Sequence, residues 1–423
     1  MKICLVMPKS TFLIDPMVYP PLGLWYIAAQ LEAQGHHTDF RDMSASLFPE
    51  DGDFDQVWVS ATSAQMREVR VIGDIVRQWK KSAVIIGGPA AWVRPENLDD
   101  LGFNVIAVGE CDHPKEIQNL VQFGKEAKSQ GTTIKHYAER PATLDHLLPP
   151  IRRWSYMYHA FLEDRLGIKH KTTTMFTSRG CPMACAFCES GRNGIIWDKV
   201  VRYESVDFVN QQLDDIQRLG YTGIQFYDDI LPINKPRTHA IMEALTKRNF
   251  TWRCFLRTDI VEKQGGYEYL KEMRDAGLVE VLAGVESADN HIKQNIYKGT
   301  TIEQDTQALA WCKELGIKFK ASIILGLPGE THDSMEATRK WILENRPDRV
   351  DINILIPFPG TPIMRDPEKY DVYWTEKLPE EFWFKGPRDN MSAIVGTSSL
   401  TPEEIQAFRN GLIKDVEIAN IPY

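Results

Sequence analysis

The chain has 423 residues, an apolar fraction of 43% and a formal net charge of −9 at pH 7. That length accommodates two or three domains with sizeable cores. The acidic balance argues against a nucleic-acid binder or a protein of anionic membrane surfaces, and no apolar run approaches the roughly 20 residues of a membrane span. Seven cysteines are an odd number, and the short apolar start does not read as a signal peptide. We therefore expect a reduced, cytoplasmic protein.

The first region, residues 1–125, alternates strand-like and helix-like segments. KICLVM, QVWVSAT, SAVIIGG and FNVIAVG are apolar strand candidates, and PLGLWYIAAQLEAQGH and REVRVIGDIVRQWKK have helical spacing. This pattern predicts an α/β fold with a doubly wound, Rossmann-like parallel sheet. Such sheets bind ligands outside the carboxyl ends of their strands, where this chain is rich in Gly, Ser, Thr and Pro.

Residues 126–170 contain two adjacent prolines and irregular patterning, which predict a linker. Residues 171–365 then repeat a strand–helix alternation six times, starting at TTTMFTS and ending at RVDINILIPFPG. This predicts a partial, TIM-like (β/α)6 barrel with active groups at the strand carboxyl ends. A small C-terminal segment, 366–423, has aromatics within 371–390 and ends in one amphipathic helix.

The first barrel strand runs directly into three closely spaced cysteines, Cys181, Cys185 and Cys188. A structural zinc site usually takes four Cys or His ligands, and the nearest histidines, His159 and His170, precede the strand. Three thiolates on one loop can instead hold three irons of a [4Fe-4S] cluster and leave the fourth iron open for chemistry. Packed cysteines without any metal are the weaker alternative, because free cysteines rarely cluster in this way.

The spacing Cys-x3-Cys-x-aromatic-Cys, with Phe187 before the last cysteine, resembles the radical S-adenosylmethionine (SAM) superfamily. The resemblance implies that the open iron chelates SAM and that one electron cleaves SAM into a 5′-deoxyadenosyl radical. QFYDD, FLRTD, GVES and ILGLPGET, at the ends of strands two to five, resemble the SAM-binding segments of that family. Singly, these residues are also common in turns, helix caps and salt bridges; their placement at successive strand ends of one barrel favours the SAM site. The implied cofactor-binding residues are Phe187, Tyr227, Asp228, Asp229, Arg257, Glu286, Ser287, Gly326 and Pro328.

The first region resembles the cobalamin-binding domain that precedes the barrel in many radical SAM enzymes. The resemblance rests on YPPLGLWYIAAQLEAQGHHTDFRDM, SATSAQ, VIIGGPAAWVRPE and VIAVGE. The Asp-x-His-x-x-Gly motif of other cobalamin proteins is absent, so we expect no protein histidine on cobalt and place Gln65 or Met66 nearest its lower face. A Rossmann-like domain that holds a nucleotide or no ligand is the alternative; no G-x-G-x-x-G follows a strand, which argues against a dinucleotide. The implied cobalamin-binding residues are Ser60, Thr62, Ser63, Gln65, Met66, Gly87, Gly88, Pro89, Gly109 and Glu110.

Together the two resemblances imply a cobalamin-dependent radical SAM methyltransferase that methylates an unactivated carbon through the 5′-deoxyadenosyl radical and methylcobalamin. Tyr227 is the candidate residue that positions substrate. The runner-up is a non-methylating, ring-forming enzyme similar to the anaerobic tetrapyrrole cyclases, and a cluster-binding sensor is a third possibility. The substrate is a small molecule or a peptide or protein side chain, the electron donor a reductase, flavodoxin or ferredoxin, and the chain a monomer that binds neither nucleic acid nor membrane.

Overall fold

The computed structural model describes residues 1–11, 13, 15–194, 200–374 and 392–423. The described residues form two compact units, one of Met1–His159 and one from Ala160 onward. Within the described ranges, no helix combines the length and the apolar composition that a bilayer crossing requires.

The described part of the first unit contains one six-stranded parallel sheet in the order β2-β1-β3-β4-β5-β6. Its strands are β1 (Lys2–Met7), β2 (His37–Asp42), β3 (Gln56–Ser60), β4 (Ala83–Gly87), β5 (Val105–Val108) and β6 (Ile134–Tyr137). Its α-helices are α1 (Leu22–Ala33), α2 (Met66–Val76), α3 (Pro89–Val93) and α4 (Pro114–Gln130). The order reverses between β1 and β3, where doubly wound sheets open a ligand crevice. The predicted Rossmann-like sheet is confirmed.

Two edge strands and α4 extend the first unit beyond the sequence-based expectation. β2 was missed because two of its three buried positions are the polar residues Thr38 and Asp42, so its apolar periodicity is weak. β6 was missed because it is a half-exposed edge strand. The predicted boundary at 125 therefore falls inside α4, and the predicted linker 126–170 contains β6. Both elements complete the first sheet, and the unit extends to His159.

The described part of the second unit is built on a seven-stranded sheet in the order β15-β14-β13-β12-β11-β8-β7. The antiparallel edge strand is β7 (Ala160–Glu163), and the six parallel strands are β8 (Lys169–Met175), β11 (Gly223–Phe226), β12 (Thr251–Leu256), β13 (Leu278–Glu286), β14 (Lys318–Leu325) and β15 (Arg349–Ile354). Two short antiparallel pairs are β9 (Ser178–Arg179) with β10 (Arg202–Tyr203) and β16 (Tyr373–Trp374) with β17 (Val395–Gly396).

The helices of the second unit are α5 (Val206–Arg218), α6 (Lys235–Lys247), α7 (Thr258–Gln264), α8 (Tyr267–Asp275), α9 (Asn290–Asn295), α10 (Ile302–Leu315), α11 (His332–Asn345), α12 (Pro362–Arg365) and α13 (Pro402–Ile418). The sheet curls into a half-barrel, which confirms the predicted (β/α)6 architecture. The C-terminal helix α13 packs against β15. Residues 375–390 of the predicted aromatic segment lie outside the described residues.

Alternation along the strands divides the half-barrel into an apolar and a polar side. Val281, Phe319 and Ile352 are almost completely buried in the main hydrophobic core beneath the helices. Several helices begin at a Ser or Thr whose hydroxyl accepts a backbone N–H, as Ser205 does at α5. This packing brings the carboxyl ends of six strands to one edge of the sheet.

Candidate active site

The three cysteines lie in the loop that follows β8, at the carboxyl edge of the half-barrel. Cys181 and Cys185 are 8% and 7% exposed, and Cys188 is half-buried. Burial raises the pKa of Cys181 to about 11 and that of Cys188 to about 12, and the neighbouring thiols contribute to both shifts. The guanidinium Nη1 of Arg257 lies 3.7 Å from Cys185 Sγ.

These thiols fit the iron–sulfur cluster that their spacing predicts. Soft thiolates prefer iron–sulfur clusters, and a bound metal compensates the thiolate charge that burial otherwise disfavours. The cationic Arg257 adds to this compensation. Among the described residues, no three His, Cys, Asp or Glu side chains converge on the position of a single metal ion.

The middle of the cysteine loop is held by backbone hydrogen bonds on both sides. Ala186 N donates to Ile296 O at 2.9 Å, and Ile363 N donates to Ala186 O at 3.2 Å. Phe187 packs against the apolar cluster around Ala186 and Leu327. The short helix α12, which contributes Ile363, therefore helps to shape the loop, a role that was not predicted.

Asp228 serves the cysteine loop through its side chain. The carboxylate is 1% exposed and accepts hydrogen bonds from Thr177 N at 3.1 Å, Thr177 Oγ1 at 2.7 Å and Ser178 Oγ at 2.5 Å. Arg237 completes this brace, because it donates to Thr177 Oγ1 at 3.0 Å and to Thr177 O at 2.8 Å. The side chain of Asp228 is thus engaged with the loop, and its cofactor contact, which the resemblance assigns to the backbone of this segment, stays a prediction. Neither Asp228 nor Arg237 was expected to brace the loop, since Thr177 lies about 50 residues or more from both.

Asp229 also lies beside the loop. Burial raises its pKa to about 6, Asp228 adds to the rise, and hydrogen bonds from Ser190 and the backbone of Gly180 oppose it. Asn234, and not either aspartate, caps the following helix α6. Both aspartates thus turn toward the cysteine loop, and the alternative reading as caps of the following helix is wrong.

Arg257 and Glu286 are connected by a lysine that sequence reasoning missed. Lys298 Nζ donates to Glu286 Oε1 at 2.7 Å, and its carbonyl oxygen accepts from Arg257 Nη2 at 2.5 Å. Lys298 and Glu286 are both buried, so each charge is paired where water is excluded. Gly284 leaves room for this pair, since a Cβ there would lie 2.5 Å from Lys298 Nζ. Glu286 has a φ of 64°, a strained conformation for a non-glycine residue.

The side chain of Ser287, which was expected to contact the cofactor, is engaged within the second unit. It is completely buried, and its Oγ lies 3.4 Å from Thr338 Oγ1 and accepts from Asp289 N at 3.2 Å. Its hydroxyl therefore joins the end of β13 to α11 and the loop before α9.

The GLPGE turn after β14 is organised by Glu330, a second residue that was not singled out. Its Oε2 accepts the N–H of Gly326 at 2.5 Å and of Leu327 at 3.3 Å. Burial raises the pKa of Glu330 to about 8. Gly326 has a φ of 82°, and the carbonyl oxygen of Pro328 accepts from Asn295 Nδ2 at 3.2 Å. Gly326 and Pro328 thus shape a tight turn at the same edge as the cysteines.

Tyr227 lies on the side of the half-barrel away from the helices. Arg253 Nη2 donates to its hydroxyl at 2.9 Å, and its ring lies 5.5 Å from that of Phe255 and 6.2 Å from that of Phe176. This placement agrees with a residue that faces the substrate, and the positioning of substrate by Tyr227 stays a prediction.

In the first unit, the predicted cobalamin residues follow β3, β4 and β5 at one edge of the sheet. Ser60, Thr62, Ser63, Gly87 and Gly109 are half-exposed there, and Pro89 opens α3. Small polar residues at this edge suit close contact with an amide-rich ligand. The residues at this edge therefore fit cobalamin, and their contacts with it stay a prediction.

Three of these residues are engaged within the unit. Gln65 is 3% exposed and donates to Pro8 O at 2.6 Å and Ser10 Oγ at 3.1 Å, which joins the loops after β1 and β3 at the switch point. Met66 packs into the hydrophobic core. Glu110 is buried, with Oε1 lying 3.5 Å from Arg140 Nε. Side-chain contacts of these residues with cobalt would require them to leave their present partners.

The backbone conformation and the close packing at position 88 require a glycine without reference to any ligand. Its φ is 88°, and a Cβ would lie 2.6 Å from Ser60 Oγ and 2.8 Å from Ala61 O. A side chain at Gly88 therefore disturbs the strand ends themselves. At Gly87 a Cβ would make ordinary contacts of 3.5 and 3.6 Å with Ala107.

Comparisons with known proteins assign both units. The family model for the radical SAM superfamily matches residues 175–342, and that for the B12 binding domain matches residues 16–117. An uncharacterized methyltransferase from Pyrococcus horikoshii is 28% identical, over 85% of this chain and 82% of the relative. A hopanoid C-3 methylase from Methylococcus capsulatus is 24% identical, over 81% of this chain and 67% of the relative.

A solved structure shares the fold. The radical SAM methyltransferase TsrM from Kitasatospora setae, solved with cobalamin and a [4Fe-4S] cluster bound, matches 99% of this chain and 88% of its own with a TM-score of 0.66 at 15% identity. The cysteine loop at the carboxyl edge of a half-barrel, the B12 binding match and the radical SAM match agree with one another. The chain thus carries a region that matches the B12 binding domain ahead of a region that matches the radical SAM superfamily, on a fold shared with a cobalamin-binding radical SAM methyltransferase.

Proposed function

We propose that the protein is a cobalamin-dependent radical SAM methyltransferase that methylates an unactivated carbon. The observation that carries this proposal is the group of three buried or half-buried thiols beside Arg257, within the region that matches the radical SAM superfamily. The match to a B12 binding domain and two relatives with methyltransferase or methylase names support the methyl-transfer outcome.

In this proposal Cys181, Cys185 and Cys188 would hold three irons of the cluster and leave the fourth to SAM. The bound cluster would pass on the electron that cleaves SAM, and bound cobalamin would carry the methyl group. Arg257 offers its guanidinium to the SAM carboxylate, and Glu286, held by Lys298, faces the ribose. The GLPGE turn lies along the adenosyl group, and the edge after β3 to β5 holds cobalamin.

A flavodoxin, ferredoxin or reductase supplies the electron, and the protein works as a cytoplasmic monomer on a small-molecule, peptide or protein substrate. The seven free cysteines support a reducing compartment.

The test separates methyl transfer from the other radical outcomes. Protein is reconstituted anaerobically with iron and sulfide, loaded with hydroxocobalamin, freed of unbound ligand and incubated with SAM and a reductant. We expect about four irons per chain and thiolate-to-iron absorption, retained cobalamin, and release of both 5′-deoxyadenosine and S-adenosylhomocysteine. Release of deoxyadenosine alone would support the cyclase-like alternative.

Cysteine variants provide the control. Alanine at Cys181, Cys185 or Cys188 is expected to abolish the iron absorption and SAM cleavage. Cys312→Ala removes a buried thiol of α10 that lies outside the loop and should preserve both. Stoichiometric zinc without iron, or complete loss of cobalamin on desalting, would contradict the proposal.

A further inference from the structure

The inner face of the half-barrel, meaning the side of the parallel strands opposite the helices, is polar and charged. Successive strand residues point to opposite sides. Since Cys254, Val281 and Phe319 lie in the core beneath the helices, their strand neighbours belong to the inner face. On the inner face lie Tyr227, Arg253, Phe255, Glu280, Leu282, Lys320 and Asp351.

Two ion pairs lie on this face. Arg253 Nη1 is 2.9 Å from Glu280 Oε1, and its Nη2 also bonds to Tyr227. Lys320 Nζ is 2.7 Å from Asp351 Oδ2. These pairs join β12 to β13 and β14 to β15, so they line two sides of the same concave surface.

Both pairs are reached by solvent. Arg253 and Glu280 keep 16% and 22% of their side-chain exposure, and Lys320 and Asp351 keep 16% and 32%. The pair of Lys293 with Asp305, which lies inside the same unit, keeps 1% and 0%. The inner-face pairs thus form a surface that a ligand can cover.

Strand register places two apolar side chains beside these pairs. Arg253 is opposite Glu280, Phe255 is opposite Leu282, and Leu282 is opposite Lys320. Phe255 and Leu282 are half-buried. The inner face therefore presents charges of both signs next to an apolar contact surface.

The depth of this surface limits the length of its ligand. Arg257 follows the end of β12 in extended conformation, four positions after Arg253, which corresponds to about 13 Å. Arg257 marks the level of the cysteines, since it lies 3.7 Å from Cys185 Sγ. An extended peptide covers this distance with roughly four residues, and a free amino acid with fewer.

We propose that the substrate is an amino acid or a short peptide, whose carboxylate and ammonium groups are recognised by the pairs Arg253–Glu280 and Lys320–Asp351. This inference rests on the proposed function and names the substrate class of that same site. A fused hydrocarbon would remove water from four charged side chains without replacing its hydrogen bonds. The substrate class therefore differs from that of the hopanoid methylase relative.

Binding is measured on the full chain with its cluster and SAM present. The probes are the twenty free amino acids and a tripeptide library, observed by saturation-transfer NMR, and a pentacyclic triterpenoid in detergent micelles. At least one amino acid or peptide is expected to bind. The double variant Arg253→Gln, Glu280→Gln and the variant Lys320→Met should each weaken it tenfold or more, whereas Arg253→Lys with Glu280 intact should weaken it less.

A surface pair provides the matched control. Lys271 and Asp275 form an exposed pair of 3.1 Å on α8, and Lys271→Gln should leave binding unchanged. The iron absorption and circular dichroism of each variant confirm that it is folded. The inference is overturned if the triterpenoid binds and no amino acid or peptide does, or if the neutral variants bind the probe as tightly as the wild type. Absence of S-adenosylhomocysteine despite amino-acid binding would instead refute the proposed methyl transfer.

Discussion

Removing the Asp228 carboxylate is expected to release the cysteine loop from the barrel. In Asp228→Ala, the N–H and hydroxyl of Thr177 and the hydroxyl of Ser178 lose an acceptor inside a buried site. Arg237, which donates to Thr177 Oγ1, also loses a nearby negative charge. Each hydrogen bond to a charged group contributes about 1.5–3 kcal/mol, and the three are not additive.

We therefore expect Asp228→Ala to lower the free energy of unfolding by about 4 kcal/mol. Asp228→Asn keeps one acceptor oxygen and the side-chain volume, but its amide group faces hydroxyl donors and Arg237. Its expected loss is about 2 kcal/mol. Iron content should fall in the same order, because the loop that carries the thiols begins at the brace.

The assay is urea unfolding followed by fluorescence, together with iron per chain after anaerobic reconstitution and desalting. Asp229→Asn is the matched control, since it changes the neighbouring carboxyl and leaves the three bonds to Thr177 and Ser178 in place. An Asp228→Ala variant that unfolds within about 1 kcal/mol of the wild type and retains full iron would refute the reasoning.

Three further predictions concern single side chains. Burial raises the pKa of Glu330 to about 8 from an ordinary value of 4.5. The free energy of unfolding of the wild type should therefore fall as pH rises between these values, by up to about 1.4 kcal/mol per pH unit. Glu330→Gln should lose this dependence when urea midpoints at pH 5 and 8.5 are compared. Gly284→Ala places a Cβ 2.5 Å from Lys298 Nζ, and should weaken SAM retention about tenfold, or about 1.4 kcal/mol, with unchanged iron content. Gly88→Ala should destabilise by about 3 kcal/mol in thermal melts, whereas Gly131→Ala, where φ is 66° and no atom lies within 4 Å, should cost about 1 kcal/mol.

The local parts of the site were predictable because they depend on neighbours in the chain. Cys181, Cys185 and Cys188 lie within eight residues, so any fold that exposes this loop brings the thiols together. The continuous apolar runs of β3 and β4 are typical of parallel strands buried on both sides, and β14 alternates between core and inner-face residues. These features predicted the half-barrel, the first sheet and the resemblance to radical SAM and B12-binding proteins.

The connections between those parts became visible only in the tertiary structure. Asp228 bonds to Thr177 across 51 positions, and Lys298 reaches Glu286 from the loop beyond α9. Neither contact follows from periodicity, because side-chain direction depends on how the strands align and which charges are desolvated together. The same holds for β2 and β6, whose polar and half-exposed residues carry a weak pattern. Sheet pairing positions them at the edges, where one side of each strand needs no apolar cover.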